Sequence, residues 1–261
     1  MKTSITKNKG LFRYKTIRKL FAAVFWLCVW QLIYFAVRQE ILIVSPVHVL
    51  QKLIALSKES TFWLTAFFSM TRILEGFLLG IFTGSLLAIC TCVSSMLYDI
   101  FHPVISIIKA TPVASFIILA LVWIPSAHVP AFTSFLMVTP IVWANVFQGI
   151  EKTDENLLQM AAAYRFGTVK TVRRVYIPSI MPYFTAACTT GLGLAWKAGI
   201  AAEVLANTPL SVGGQIYNSK IYIETDSLFA WTVVVVAMSV LLEWLMVRFM
   251  KTMGQKYNVE Q

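Results

Sequence analysis

The stretch EKTDENLLQMAAAYRFGTVKTVRRVYIPSIMP, from Glu151 to Pro182, lies between apolar spans and carries charges of both signs. Asp154 and Glu155 stand where a helix begins, since a carboxylate there meets unpaired backbone N–H groups and the positive end of the helix dipole. Leu157, Leu158, Ala161, Ala162 and Phe166 then give that helix a small apolar face. Gly167 is expected to stop it, and Thr168 to cap a second helix directly. In the second helix Val169, Val172 and Val175 recur at threes, Lys170, Arg173 and Arg174 occupy the other side, and Pro178 and Pro182 are expected to end it. Two short helices between spans make a docking platform. The plainer reading is an ordinary loop whose cations only set membrane topology.

Composition puts the chain in a bilayer. Of its 261 residues 58% are hydrophobic and 13% charged, with a mean hydropathy of +0.72, values of an integral membrane protein and not of a soluble domain. The net charge of +10 invites a nucleic-acid partner, but the cations flank hydrophobic spans, so topology explains them and no nucleic acid is expected. Cys28, Cys90, Cys92 and Cys188 fall inside apolar spans without metal-ligand spacing and read as small core residues. The first apolar run is long and lacks a small-residue cleavage site, so no cleavable signal peptide is expected.

In order, residues 1–19 form a basic arm with seven cations and no acid, and Leu20 to Val37 is uncharged and long enough to span. Ser45-Pro46 is a cap followed by proline, opening an amphipathic helix with Val47, Leu50, Leu53 and Ile54 on one side. Further spans are expected at about Thr65–Val93, Pro103–Ile124, Val129–Ile150, Tyr183–Leu205 and Leu228–Phe249. A short turn covers Ser94–His102 and an outer loop Asn207–Asp226. This six-span domain, residues 20–250, leaves residues 251–261 as a tail. With both termini inside, the cytoplasmic segments hold fifteen cations and the outer segments four, Arg38, Lys52, Lys58 and Lys220, the asymmetry expected of a multi-pass plasma-membrane protein.

Ionisable groups within spans are costly and point to function. Arg72 and Glu75 are three apart on one helix face and are expected to pair. Lys109, Thr111 and Pro112 open the third span, where proline frees a carbonyl and bends the helix. For these, a place on a transport path stands beside a snorkelling lysine at the interface. The fifth span is rich in Ala and Gly, which lets helices approach closely, and carries Trp196, Lys197 and Glu203. Lys197 and Glu203 sit about 120° apart around an ideal helix, so both cannot face lipid. Lys197 either attracts an anion or neutralises a buried acid. Glu243 and Arg248 are read as an anchoring pair.

Residues 151–182 resemble the cytoplasmic signature loop of permease subunits in binding-protein-dependent ABC importers: Glu-Ala-Ala, three residues, Gly, nine residues, then Ile/Val-x-Leu/Ile-Pro. Anchored on Val175-Tyr176-Ile177-Pro178, the Glu-Ala-Ala positions fall on Gln159-Met160-Ala161 and the Gly on Arg165. Ser45-Pro46, Thr71-Arg72 through Gly76, Lys109-Ala110-Thr111-Pro112 and the run from Trp196 to Glu203 resemble the nitrate/sulfonate/taurine-type subgroup, in the same order. The resemblance implies an all-α, six-span permease of type I importer architecture. It implies a second permease copy, two ABC ATPase subunits that hold ATP and magnesium, and an extracytoplasmic solute-binding protein. The chain itself would then be no enzyme and need no cofactor. Its ATPase-docking core would be Gln159, Met160, Ala161, Ala162, Arg165 and Gly167, with Arg173 and Arg174 at the rim. The implied cargo is a small anion such as a sulfonate or nitrate, with a vitamin precursor or a pyrimidine as the alternative.

Two other classes fit less well. A secondary transporter would show an internal repeat and mid-membrane ion-coupling acids. A membrane enzyme would need a nucleophile with its base, or a metal site, whereas His48, His102 and His128 are scattered. No Gly-x4-Gly-Lys-Ser/Thr motif occurs, so ATP hydrolysis falls to another chain.

Overall fold

The computed structural model describes the backbone of residues 9–257. Lys2 and Lys7 of the expected basic arm, and the last four residues of the tail, lie outside it. Every regular element among the described residues is helical: α1 (Lys9–Val37), α2 (Pro46–Ser57), α3 (Ser60–Val93), α4 (Ser95–Ala110), α5 (Val113–Trp123), α6 (Val129–Glu151), α7 (Glu155–Ala163), α8 (Thr168–Thr171), a π-turn (Val172–Tyr176), α9 (Ile177–Leu205), α10 (Val212–Ile221) and α11 (Thr225–Tyr257). Three helices are long and apolar enough to cross a membrane alone, within Ser60–Val93, Val129–Glu151 and Thr225–Met250. The bent pair α4–α5 makes a fourth candidate.

The core is a stack of α3, α6 and α9, with α6 in the middle. Lipid is as apolar as leucine, so close approach must supply what water exclusion does not. Gly76, Gly80 and Gly84 recur every fourth residue on α3 and lie flat against α6. A Cβ on Gly76 would fall on the Ala131 carbonyl, and one on Gly84 would lie 2.7 Å from that of Thr139. Polar bonds stitch the same face. The Trp143 indole donates to Thr91 Oγ1 at 3.0 Å, and Ser134 Oγ donates to the Ala195 carbonyl at 3.1 Å.

Several boundaries differ from the expected ones. The third span is not one rod: α4 and α5 meet at 106°. Thr111 is extended, with φ −79° and ψ 131°, because the Pro112 ring excludes its neighbour from the helical region. Residues expected as the turn Ser94–His102 belong instead to α4, capped by Ser94 Oγ. Pro178 and Pro182 do not end a helix, since backbone winding continues from Thr168 to Leu205. The π-turn before Pro178 widens the helix, with the Ile177 N–H reaching back five residues to the Val172 carbonyl. That places the register shift beside the residue that lacks an N–H. The expected outer loop contains α10, capped by Ser211.

Ser45 caps α2 as expected, accepting from the His48 N–H at 3.2 Å. The inward face of α2 is Val49, Leu53 and Leu56, while Val47, Leu50 and Ile54 are exposed. Cys188 is buried but Cys28 is exposed. Arg248 lies over the Trp244 ring at 5.4 Å, and no Glu243–Arg248 ion pair forms.

Candidate functional site

The two ends of the α8–α9 rod carry the two polar constellations. At its start, Asp154 caps α7 by accepting from the Asn156 N–H at 2.9 Å. The end of α7 is a Schellman motif: Phe166 N–H reaches the Ala161 carbonyl at 2.8 Å, and Arg165 N–H the Ala162 carbonyl at 2.9 Å. Such a stop needs a left-handed residue, and that residue is Arg165, with φ 51°. Gly167 is therefore not the stop. It has φ −68° and caps α8 in place of Thr168, and a side chain there would meet open space. The glycine of the importer pattern and the left-handed position of this chain coincide at Arg165, which supports the register anchored on Pro178.

Ala161 and Val175 are buried where α7 meets the π-turn. The rest of the platform faces outward: Gln159 and Ala162 are exposed, with Leu157, Met160, Tyr164, Val169 and Val172 beside them. Arg165, Lys170, Arg173 and Arg174 are also exposed. Lys170 Nζ sits 4.0 Å above the Phe166 ring. A basin of about 730 Å³ opens among Gly167, Thr168, Val169, Lys170, Arg173 and Arg174. No acid among the described residues pairs with any of these cations. Exposed apolar groups ringed by unpaired cations make a surface suited to a protein with an acidic rim.

At the other end, Glu203 is completely buried. Its Oε2 accepts the Ser69 hydroxyl at 2.9 Å and the Gly213 N–H at 3.0 Å, while Ser69 Oγ in turn accepts the Val212 N–H at 2.8 Å. The carboxylate thus ties α9 to α3 and to the first turn of α10, where the helix dipole favours negative charge. Oε1 has no partner. Arg72 does not pair with Glu75; it donates to the carbonyls of Leu210 at 3.1 Å and Pro209 at 3.2 Å. The 206–211 connection captures the cation because its carbonyls face α3 and Glu75 points to the surface.

The residues singled out for a transport path are separated by this fold. Trp196 is buried, its indole donating to the Val235 carbonyl on α11 at 3.2 Å. Lys197 is exposed on a stripe with Ala186, Thr190, Leu194 and Ala201, away from the buried Glu203. Lys109 and Pro112 are exposed and Thr111 is half-buried at the α4–α5 bend, its hydroxyl returned to the Ile107 carbonyl. Among the described residues no group of three or more His, Cys, Asp or Glu side chains gathers at metal-binding distance. Ser69 and the Gly213-Gly214 pair were missed by sequence reasoning. Their signal was present, because two adjacent glycines after Ser211 mark a place where backbones touch.

Helices long and apolar enough to cross a bilayer, stacked around α6, are the architecture of a multi-pass membrane protein. The chain belongs to the family of binding-protein-dependent transport system inner membrane components, whose pattern matches residues 76–255. It is 25% identical over 213 residues, 76% of each chain, to the nitrate import permease protein NrtB of Synechocystis. It is 22% identical over 204 residues to the taurine transport system permease protein TauC of Escherichia coli, covering 76% of this chain and 74% of TauC. Over 166 residues, 60% of this chain and 57% of the relative, it is 24% identical to the bicarbonate transport system permease protein CmpB of Synechococcus elongatus. Its fold is that of the inward-facing MetNI methionine ABC transporter, with TM-score 0.58, 16% identity, and coverage of 73% of this chain and 93% of that one. An amino acid ABC transporter matches with TM-score 0.57 and 14% identity.

Proposed function

We propose that the chain is the permease subunit of an ATP-driven importer, passing a small anion through a path formed with a second copy. The observation that carries this reading is the platform: an exposed, alanine-rich helix stopped at a left-handed Arg165 and surrounded by unpaired cations. Ala162 and Ala163 add little bulk, so the helix can enter a groove. Gln159, Met160 and Ala162 form the face that enters an ABC ATPase, with Arg165, Gly167, Arg173 and Arg174 at the rim. Ala161, expected on that face, is buried within this chain and backs it from inside. ATP and magnesium belong to that partner, and this chain hydrolyses nothing. In this reading the membrane domain has six spans, both termini are cytoplasmic, and residues 151–182 face the cytoplasm of a prokaryote.

The path runs along the exposed stripe of α9. The exposed stripe on α3 is apolar from Leu78 to Ile89, with Leu78, Leu79, Phe82, Leu86 and Ile89 exposed as lipid requires, and turns polar at Thr71 and Glu75 toward the Glu203 end. The α9 stripe carries Thr190 and Lys197 beside Ala186, Leu194 and Ala201, and a lysine midway along it suits a partner helix and water better than acyl chains. Lys197 supplies the positive charge for a sulfonate, nitrate or similar anion, and Lys109, Thr111 and Pro112 shape the way in at the bend. Trp196 and Glu203 support the wall from behind. The nitrate, bicarbonate and taurine relatives favour an anion over a vitamin precursor or pyrimidine.

Purification of the tagged chain from its host in mild detergent tests the class. An ABC ATPase and a solute-binding lipoprotein should come with it, and recovery of the chain alone after cross-linking at residues 151–176 would oppose the reading. Lys197→Met should abolish uptake of the cargo while leaving ATPase recovery intact. Normal uptake by that variant would remove Lys197 from the path.

A further inference from the structure

The segment 206–211 joins α9 to α10 and lies across α3 at the end of the bundle opposite the platform. Two contacts of unequal quality hold it. Arg72, the one cation of α3, spends two donors on the neutral carbonyls of Pro209 and Leu210. Ser69, three residues earlier and so on the same face, gives its hydroxyl to Glu203 Oε2. Oε1 of that fully buried carboxylate has no partner, although a guanidinium lies one helical turn away. The segment carries strain at Leu210, whose φ of 47° is a conformation that a bulky side chain adopts reluctantly, whereas Asn207, with φ 44°, is of a type that tolerates it.

We propose that residues 206–211 are a strap closing this end of the path, and that Arg72 exchanges the Pro209 and Leu210 carbonyls for Oε1 of Glu203 as the strap lifts. In the closed arrangement a buried acceptor is orphaned and Leu210 is strained. Lifting the strap relieves both and joins the guanidinium to the carboxylate, at the loss of the two guanidinium–carbonyl bonds and of the Thr208 hydroxyl bond to Ser126. Gains and losses of similar size make a two-position element that a partner can bias. Gly213 and Gly214 allow the close seat, since a Cβ on Gly214 would fall on the Thr208 carbonyl. The inference takes from the proposed function only that this end opens.

The test uses the full chain in mild-detergent micelles with Cys28, Cys90, Cys92 and Cys188 replaced by serine and Val212→Cys as reporter. Val212 directly follows the strap, is fully buried and bonds to Ser69 on α3, so a charged maleimide reaches it only when this connection lifts from α3. Thr208→Val removes a bond made only with the strap closed and should raise the labelling rate roughly fivefold, the equivalent of one ordinary hydrogen bond. Glu203→Gln removes the charge that receives Arg72 when the strap lifts and should lower the rate below that of the parent. Arg72→Met takes a partner from each arrangement, and in that background Glu203→Gln should lower the rate no further. A Glu203→Gln rate equal to or above the parent would make Glu203 only a prop. A Glu203→Gln effect that persists in the Arg72→Met background would remove the latch, and an unchanged Thr208→Val rate would remove the strap. Labelling needs neither cargo nor ATPase, so failure here leaves the importer reading standing.

Discussion

The two ends of the rod from Thr168 to Leu205 are built on opposite rules. At the platform end the cations Arg165, Lys170, Arg173 and Arg174 are exposed and unpaired, and Thr153, Ala161 and Val175 go inside. At the Glu203 end, the buried carboxylate is held by Ser69 and Gly213, and Arg72, one turn on, is taken up by the Pro209 and Leu210 carbonyls. The first arrangement is incomplete without a partner. The second is nearly complete within the chain, save one carboxylate oxygen. Substitutions at one end should therefore be read in binding, and at the other in stability.

The largest contrast is expected between two glycines. Gly213→Val would drive a side chain into Glu203, whose Cβ fills that space, and should cost about 3 kcal/mol, at the upper end of overpacking. Gly167→Ala faces open space at φ −68° and should change stability by less than ~0.5 kcal/mol. Thermal unfolding of the purified variants compares them, and a Gly167 variant as damaged as the Gly213 one would break the contrast. Next in size, Ser69→Ala strips partners from the Val212 N–H and from Glu203. It should lower stability by about 1–3 kcal/mol, the cost of leaving buried polar groups unpaired. Smallest, Arg165→Gly should relieve the left-handed strain and stabilise α7 by about 1 kcal/mol. That gain would appear as slower amide exchange from Leu158 to Ala163, and unchanged or faster exchange would count against the strained stop.

Much of this was legible in sequence where a residue type has one dominant local use. Ser45-Pro46 and Asp154 announced helix starts, and both cap as expected. Pro112 announced a break, although the size of the 106° bend depends on how α5 packs on α6 and α9, outside the reach of a local signal. Gly167 misled because glycine is the usual stop, whereas the chain turns two residues earlier, at Arg165. Pro178 misled similarly, since the preceding π-turn absorbs the missing N–H. The expected Arg72–Glu75 pair followed the correct helical spacing but ignored carbonyls that arrive from 137 and 138 residues away. Glu203 was found and its surroundings were not. Burial of a carboxylate requires partners from other elements, and nothing local to residue 203 names Ser69. The four-residue spacing of Gly76, Gly80 and Gly84 was readable as a close-packing stripe.

The claim that the 151–176 platform is the part of this permease that meets its ATPase is tested most directly at Ala162. That side chain is exposed while its neighbour Ala161 is buried, so Ala162→Asp places a charge on the docking face without entering the fold. The measurement is the amount of ABC ATPase recovered with the tagged chain, beside the elution profile of the chain itself. The account predicts wild-type elution with the ATPase lost. An Ala162→Asp chain that keeps its ATPase at the wild-type ratio would contradict it.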